Sequence, residues 1–130
     1  MDTTEEQINN GRFHWNVKYR KLEGDEGITI RFFGPVRGET QELARFDCFR
    51  NVPHYHIAFY DHNTVTSLDR ESPLTTVLEK IEREFNELAT ACGSDSPTDQ
   101  ECNNHFQAAR NLQGRAYHLD KEFGSTSRTE

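Results

Sequence analysis

Arg12-Phe13-His14-Trp15-Asn16-Val17-Lys18-Tyr19-Arg20 alternates without a slip. Phe13, Trp15, Val17 and Tyr19 fall on one side, and His14, Asn16, Lys18 and Arg20 on the other. A period of two places every second side chain on one face of a strand, so the segment predicts a half-buried strand with an aromatic core face. The polar turn Glu23-Gly24-Asp25-Glu26-Gly27 follows, and Gly27–Phe33, with Ile28, Ile30 and Phe32 alternating, predicts the returning arm of a hairpin. Gly34-Pro35-Val36-Arg37-Gly38 breaks that pattern and reads as the next connection. Further strands are expected over Glu42–Phe49, His54–Tyr60 and about Thr64–Leu68, joined through Arg50-Asn51-Val52-Pro53 and Asp61-His62-Asn63. The result is an antiparallel meander of four to five strands.

Beyond the meander the period changes to that of a helix. Ser72-Pro73 supplies an N-cap and a first-turn proline. Leu74, Val77, Leu78, Ile81, Phe85, Leu88 and Cys92 then recur three and four apart, and Gly93 stands at the C-terminal stop. That predicts one long amphipathic helix, Pro73–Cys92, covering a face of the sheet. A second helical region begins, by the same reasoning, at Ser94-Asp95-Ser96-Pro97. It carries His105, Ala109, Leu112, Ala116, Leu119 and Phe123, with Gly114 as an expected break. The expected organisation is a flexible arm over residues 1–11, one α+β domain over 12–123, and a disordered tail over 124–130.

Composition narrows the setting. The chain has 130 residues, 33% of them apolar, but nine Phe, four Tyr and one Trp allow a compact core. A chain of this length buries roughly two-thirds of its unfolded surface, enough to fold without staples. Acidic residues outnumber basic ones 22 to 15, for a net charge of −7 and a pI near 5.3. Such a surface repels phosphate backbones and anionic membranes, so nucleic acid is expected only as a substrate in a local basic cleft. Cys48, Cys92 and Cys102 are an odd, sparse set, which points to free thiols in the reducing cytoplasm. Met1-Asp2-Thr3-Thr4-Glu5-Glu6 is acidic rather than signal-like, and no apolar run reaches the ~20 residues of a membrane span.

One stretch is dense in chemistry: Arg45-Phe46-Asp47-Cys48-Phe49-Arg50-Asn51-Val52-Pro53-His54-Tyr55-His56. On a strand, His54 and His56 point to one face, about 6–7 Å apart. Two imidazoles so placed can share zinc or another transition metal, with Cys48 or Asp47 as a third ligand from the neighbouring strand. Register decides which, because adjacent residues face opposite sides. His62, just beyond the strand, could complete the set. The same histidines beside Arg45 or Arg50 could instead move protons and clamp a phosphate, the chemistry of a metal-independent ribonuclease. The plainest alternative is a half-polar sheet face with Tyr55, Ile57 and Phe59 turned to the helix and Cys48 buried as a small apolar group.

The run Arg45-Phe46-Asp47, then Pro53-His54-Tyr55-His56, Leu68-Asp69 and the Leu74–Leu88 helix resembles small bacterial and archaeal domains of unknown function. Those share an Arg-Phe-Asp core, a Pro-His-x-His strand and a following helix. More distantly it is similar to the TumE-like proteins of toxin–antitoxin pairs, which carry an Asp, a His-rich strand and a helix in that order. The resemblance spans Arg45–Gly93 and implies a shared fold segment rather than an assigned activity. Three functions follow as expectations: first, a non-enzymatic interaction or regulatory module, acting on a protein partner or as a homodimer; second, a metal-binding protein; third, a toxin-like ribonuclease with His54, His56 and Arg45 as catalytic candidates. No cofactor other than the metal is expected.

Overall fold

The computed structural model describes residues 5–124. Six strands run in order: β1 (Glu6–Asn10), β2 (Phe13–Leu22), β3 (Asp25–Val36), β4 (Glu39–Phe49), β5 (His54–Ile57) and β6 (Thr64–Ser67). Three helices follow: α1 (Pro73–Arg83), α2 (Phe85–Ala91) and α3 (Asp99–Gly124). The strands form one antiparallel sheet in which each pairs with its sequence neighbours. The fold is α+β, as the two periodicities predict.

The alternation that opens β2 sorts the whole sheet. Phe13, Trp15, Val17 and Tyr19 are each at most 1% exposed. They join Ile28, Ile30 and Phe32 of β3 and Ala44 and Phe46 of β4 on the core face. Leu74, Val77, Leu78 and Ile81 of α1, Phe85 and Leu88 of α2, and Leu112, Ala116 and Leu119 of α3 cover that face. Each large apolar side chain so buried contributes about 1.5–3 kcal/mol, which makes this layer the main source of stability. The opposite face carries no helix among the described residues.

Several expectations need correction. The loose arm fails at Glu6–Asn10, which is β1. Its alternation rests on Ile8 and Asn10, and the buried Asn10 donates from Nδ2 to the Glu101 carbonyl at 2.8 Å. Apolar periodicity could not find a strand whose inward side chain is an amide. The meander therefore has six strands, not four or five. Of the expected tail, Gly124 ends α3, and 125–130 lie outside the described residues.

The β3–β4 connection is shorter than Gly34–Gly38. Only Arg37 and Gly38 turn, both with positive φ (51° and 84°), the backbone of a two-residue hairpin in which glycine is the unstrained choice. The Asp95 carboxylate accepts from both amides at 2.9 and 3.0 Å and pins the turn. Beyond Phe33, β3 has β4 but not β2 beside it, so Pro35 removes no bond on the β2 side.

The long helix is two. Glu84 (φ −123°, ψ 37°) separates α1 from α2. In an unbroken helix the Ile81 carbonyl would accept from the Phe85 amide. Here it accepts from His105 Nε2 of α3 at 2.8 Å, and the His105 ring stacks on Phe85 with centroids 4.2 Å apart. A side chain inserted into the ladder is a standard cause of a kink.

The second helical region starts later than Ser94–Pro97. Thr98 and Glu101 make a reciprocal capping box, Glu101 N to Thr98 Oγ1 at 3.1 Å and Thr98 N to Glu101 Oε1 at 2.9 Å. The helix then runs unbroken through Gly114, which faces open space.

Candidate metal and anion site

The uncovered sheet face is a lattice set by register. One row reads Lys18, Thr29, Asp47, His54, Ser67 across β2 to β6, and the next reads Asn16, Arg31, Arg45, His56, Val65. Asp47 and His54 are direct cross-strand partners, and His56 stands one pleat along. This answers the register question: Asp47, not Cys48, joins the two histidines. Cys48 points into the core at 6% exposure, on the side of the sheet away from the two histidines, and burial pushes its thiol well above the ordinary range. His62 lies off the site, exposed, against Asp61 at 3.1 Å. Phe59 does not turn to the helices either. Ala58 takes φ 54°, and Phe59 lies beside His56 and under the Arg45 guanidinium, 4.2 Å from its centroid.

Asp47 Oδ2 is 3.2 Å from His54 Nε2 and 3.6 Å from His56 Nε2, and the three atoms lie within 4.8 Å of one another. Donors about 2.1 Å from a tetrahedral ion lie roughly 3.4 Å apart, so the spacing is that of a ligand set. The outer contacts have the same character. His54 Nδ1 lies 2.8 Å from the Val52 carbonyl and His56 Nδ1 2.8 Å from Asn63 Oδ1. A carbonyl can only accept, so His54 Nδ1 donates to Val52, and Nε2 is the ring atom turned toward Asp47. Metal-ligating histidines are held in this way by an oxygen behind the ring. Asp47 is 3% exposed, and its other oxygen accepts from Thr29 Oγ1 at 2.7 Å and faces Arg20 Nη1 at 3.5 Å.

The loop that delivers His54 is itself anchored. The Asp25 carboxylate accepts from the amides of Asn51 and Val52 at 3.0 and 2.9 Å, and Asn51 Nδ2 donates to the Gly24 carbonyl. Burial raises the Asp25 carboxyl, and these amides outweigh it and hold the group below its ordinary range.

Arg45 is beside the site but not free. Arg31 and Arg45 face each other across β3 and β4, a like-charge pair that would repel. Glu42 binds both through forked contacts, 3.0 and 3.1 Å to Arg31 and 2.8 and 3.1 Å to Arg45. Burial pushes Glu42 up, and hydrogen bonds and charge from Arg45 and Arg31 outweigh it, leaving its carboxyl below the ordinary range.

Glu42 reaches this face because of a bulge. The register slips between Phe32 and Phe33, so Leu43 and Ala44 are both buried and Glu42 shares a side with Arg45. Strict alternation puts Glu42 in the core, so nothing in the sequence announced it. Lys18, Arg20 and Arg31 were missed for another reason: the polar side of a strand carries no signal of what lies across from it. Arg50, the other cation considered, is turned to Glu26 and the Gly124 carbonyl.

The sequence model of a family described as a domain of unknown function, DUF7700, matches residues 7–109. This agrees with the resemblance to small domains of unknown function. No curated protein and no solved structure matches the chain. No described helix is long and apolar enough to cross a membrane.

Proposed function

The chain belongs to the family of the DUF7700 domain of unknown function, and from its site we propose that it binds one divalent transition-metal ion through Asp47, His54 and His56. Zinc is the first candidate, since two imidazoles and one carboxylate make a frequent set for it, with iron(II) held by similar triads. The observation that carries this is the convergence of three ligand atoms, Asp47 Oδ2, His54 Nε2 and His56 Nε2, within 4.8 Å of one another on the uncovered face. Three protein donors on an uncovered face leave coordination positions for a water or substrate. Such an ion acts as a Lewis acid and makes a bound water a nucleophile near neutral pH.

The test is metal content by mass spectrometry on protein purified without a histidine tag, then dialysed against zinc. About one ion per chain is expected, and none in Asp47→Asn or in His54→Ala/His56→Ala. Metal-free wild-type protein after dialysis would end this reading.

Two further readings of the chain remain distinct. His54 and His56 beside Arg45 support a metal-independent ribonuclease, with a proton in place of the ion. Growth arrest on expression, relieved by His56→Ala, would favour it, and normal growth with intact RNA under full induction would sink it. The open edge of β6, whose four residues are all exposed, supports an interaction module or homodimer that pairs along that strand. The three unpaired cysteines fit the cytoplasmic setting of all three readings.

A further inference from the structure

Beside the triad lies a cavity of about 260 Å³, lined by Asn16, Lys18, Arg20, Thr29, Arg31, Arg45 and the carboxylate-bearing Glu5. Asp47, His54 and His56 do not line it, but three of its lining residues contact or pair with them. Thr29 and Arg20 both face Asp47, and Arg45 is the cross-strand partner of His56. We propose that this cavity seats the phosphate group of a small phosphorylated ligand, with the adjoining part of that ligand facing the metal position at Asp47, His54 and His56.

Four cations meet here on a chain whose net charge is −7. Glu42 uses the Nε and Nη2 edges of Arg31 and Arg45, so it fixes both guanidiniums while leaving their Nη1 groups. Arg31 Nη1 is 4.0 Å from Glu5, a loose contact. Lys18 makes no ion pair among the described residues. Three carboxylates stand against the four cations: Asp47 faces Arg20, Glu42 holds Arg31 and Arg45, and Glu5 lies near Arg31, which leaves Lys18 over.

Geometry selects phosphate over carboxylate. The cations come from β2, β3 and β4 and surround the cavity, whereas a planar carboxylate is satisfied by a single guanidinium fork. A tetrahedral dianion offers oxygens in three directions. Asn16 Oδ1 is out of solvent and has no hydrogen-bond partner, and it fits a hydroxyl on the ligand or a protonated phosphate oxygen. The cavity lies below the ~300 Å³ at which sites for whole drug-sized molecules begin. It therefore suits a phosphate head, with the remainder of a small molecule in the open groove. The phosphate seat stands on its own cations, but what the ligand presents to Asp47, His54 and His56 rests on the metal reading.

The experiment is calorimetric titration of the full chain with inorganic phosphate, and with acetate at matched ionic strength, after chelation and again after zinc loading. Wild type, Lys18→Gln, Asp47→Asn and a distant Arg83→Gln control are compared, each checked for an unchanged melting curve. Saturable phosphate binding is expected in chelated wild type, about tenfold weaker in Lys18→Gln and unchanged in Arg83→Gln, with acetate binding not detected. Zinc is expected to tighten phosphate binding in wild type but not in Asp47→Asn. Should Lys18→Gln fold poorly, Lys18→Met, which keeps the aliphatic stem, takes its place. Loss of zinc binding with Lys18-dependent phosphate binding intact would fail the metal reading alone. Zinc binding with phosphate indifferent to Lys18, equal binding of acetate, or binding of a single-stranded oligonucleotide in place of phosphate would overturn the seat.

Discussion

Replacing the Cys48 thiol by a hydroxyl tests the side-chain parity on which the site depends. If Asp47 is the ligand and Cys48 a core residue, Cys48→Ser keeps the wild-type metal stoichiometry. It should lower stability by about 1–3 kcal/mol, read from denaturant titration, because a hydroxyl is put where nothing accepts it. Loss of metal with unchanged stability would reverse that assignment. Glu42→Gln removes the anion between two opposed arginines. A partly buried, charge-assisted network that loses one member costs about 1–3 kcal/mol, and that loss is expected in the same titration. Wild-type stability would mean the arginines separate without help. The histidine pair was legible because a one-residue gap on a strand fixes a shared face. The third candidate ligand was legible only as Asp47 or Cys48, since choosing requires the β4–β5 register. Glu42 was hidden by the Leu43 bulge, and no periodicity records an extra residue before the fold has formed.

Among the elements, the sheet was largely readable and the helix boundaries were not. Apolar alternation locates a strand whose inward side is hydrocarbon, so β2 stood out. β1 turns an amide inward and stayed hidden. The α1–α2 stripe shows no interruption because its apolar spacing continues through the break. The cause lies in α3, where His105 takes the Ile81 carbonyl. His105→Phe keeps a ring against Phe85 but leaves that carbonyl without its donor. A loss of about 1–3 kcal/mol is expected by chemical denaturation, the penalty for a buried unsatisfied group. Unchanged stability would mean that the break is set elsewhere. Gly114 presents the opposite case, a residue with a break-like signal inside an intact helix. A methyl there meets nothing within 4 Å, so Gly114→Ala should stabilise by about 0.5–1 kcal/mol through lower unfolded-state entropy. A destabilised variant would show that Gly114 has a close neighbour.

At the scale of the molecule, the link between sheet and α3 sets the response to acid. Glu101, 4% exposed, accepts from Arg12 through the backbone N, Nε and Nη2, so the capping box of α3 is tied to the start of β2. The Arg12 hydrogen bond is the main reason its carboxyl falls to about 2; burial works against this, and the Thr98 amide and the Arg12 charge assist. The unfolded carboxyl titrates near 4.5, so the native state binds this proton more weakly than the unfolded state. The stability it supplies is complete above about 4.5 and disappears as pH falls toward 2. Arg12 is half-open to solvent, which limits the contribution to about 2 kcal/mol. His105 adds in the same direction. Burial lowers its affinity for a proton, against the Ile81 contact and the charge of Glu82, so its contribution is present above the ordinary imidazole value of 6.5 and is lost below its own, lower one. Denaturant midpoints measured from pH 7 to pH 2 should therefore fall on the acid side for wild type. Glu101→Gln should begin about 2 kcal/mol lower at pH 7 and converge on wild type near pH 2, because protonated Glu101 and Gln are then near equivalents. Parallel curves would show that the carboxylate charge at the β2–α3 junction does not govern acid unfolding.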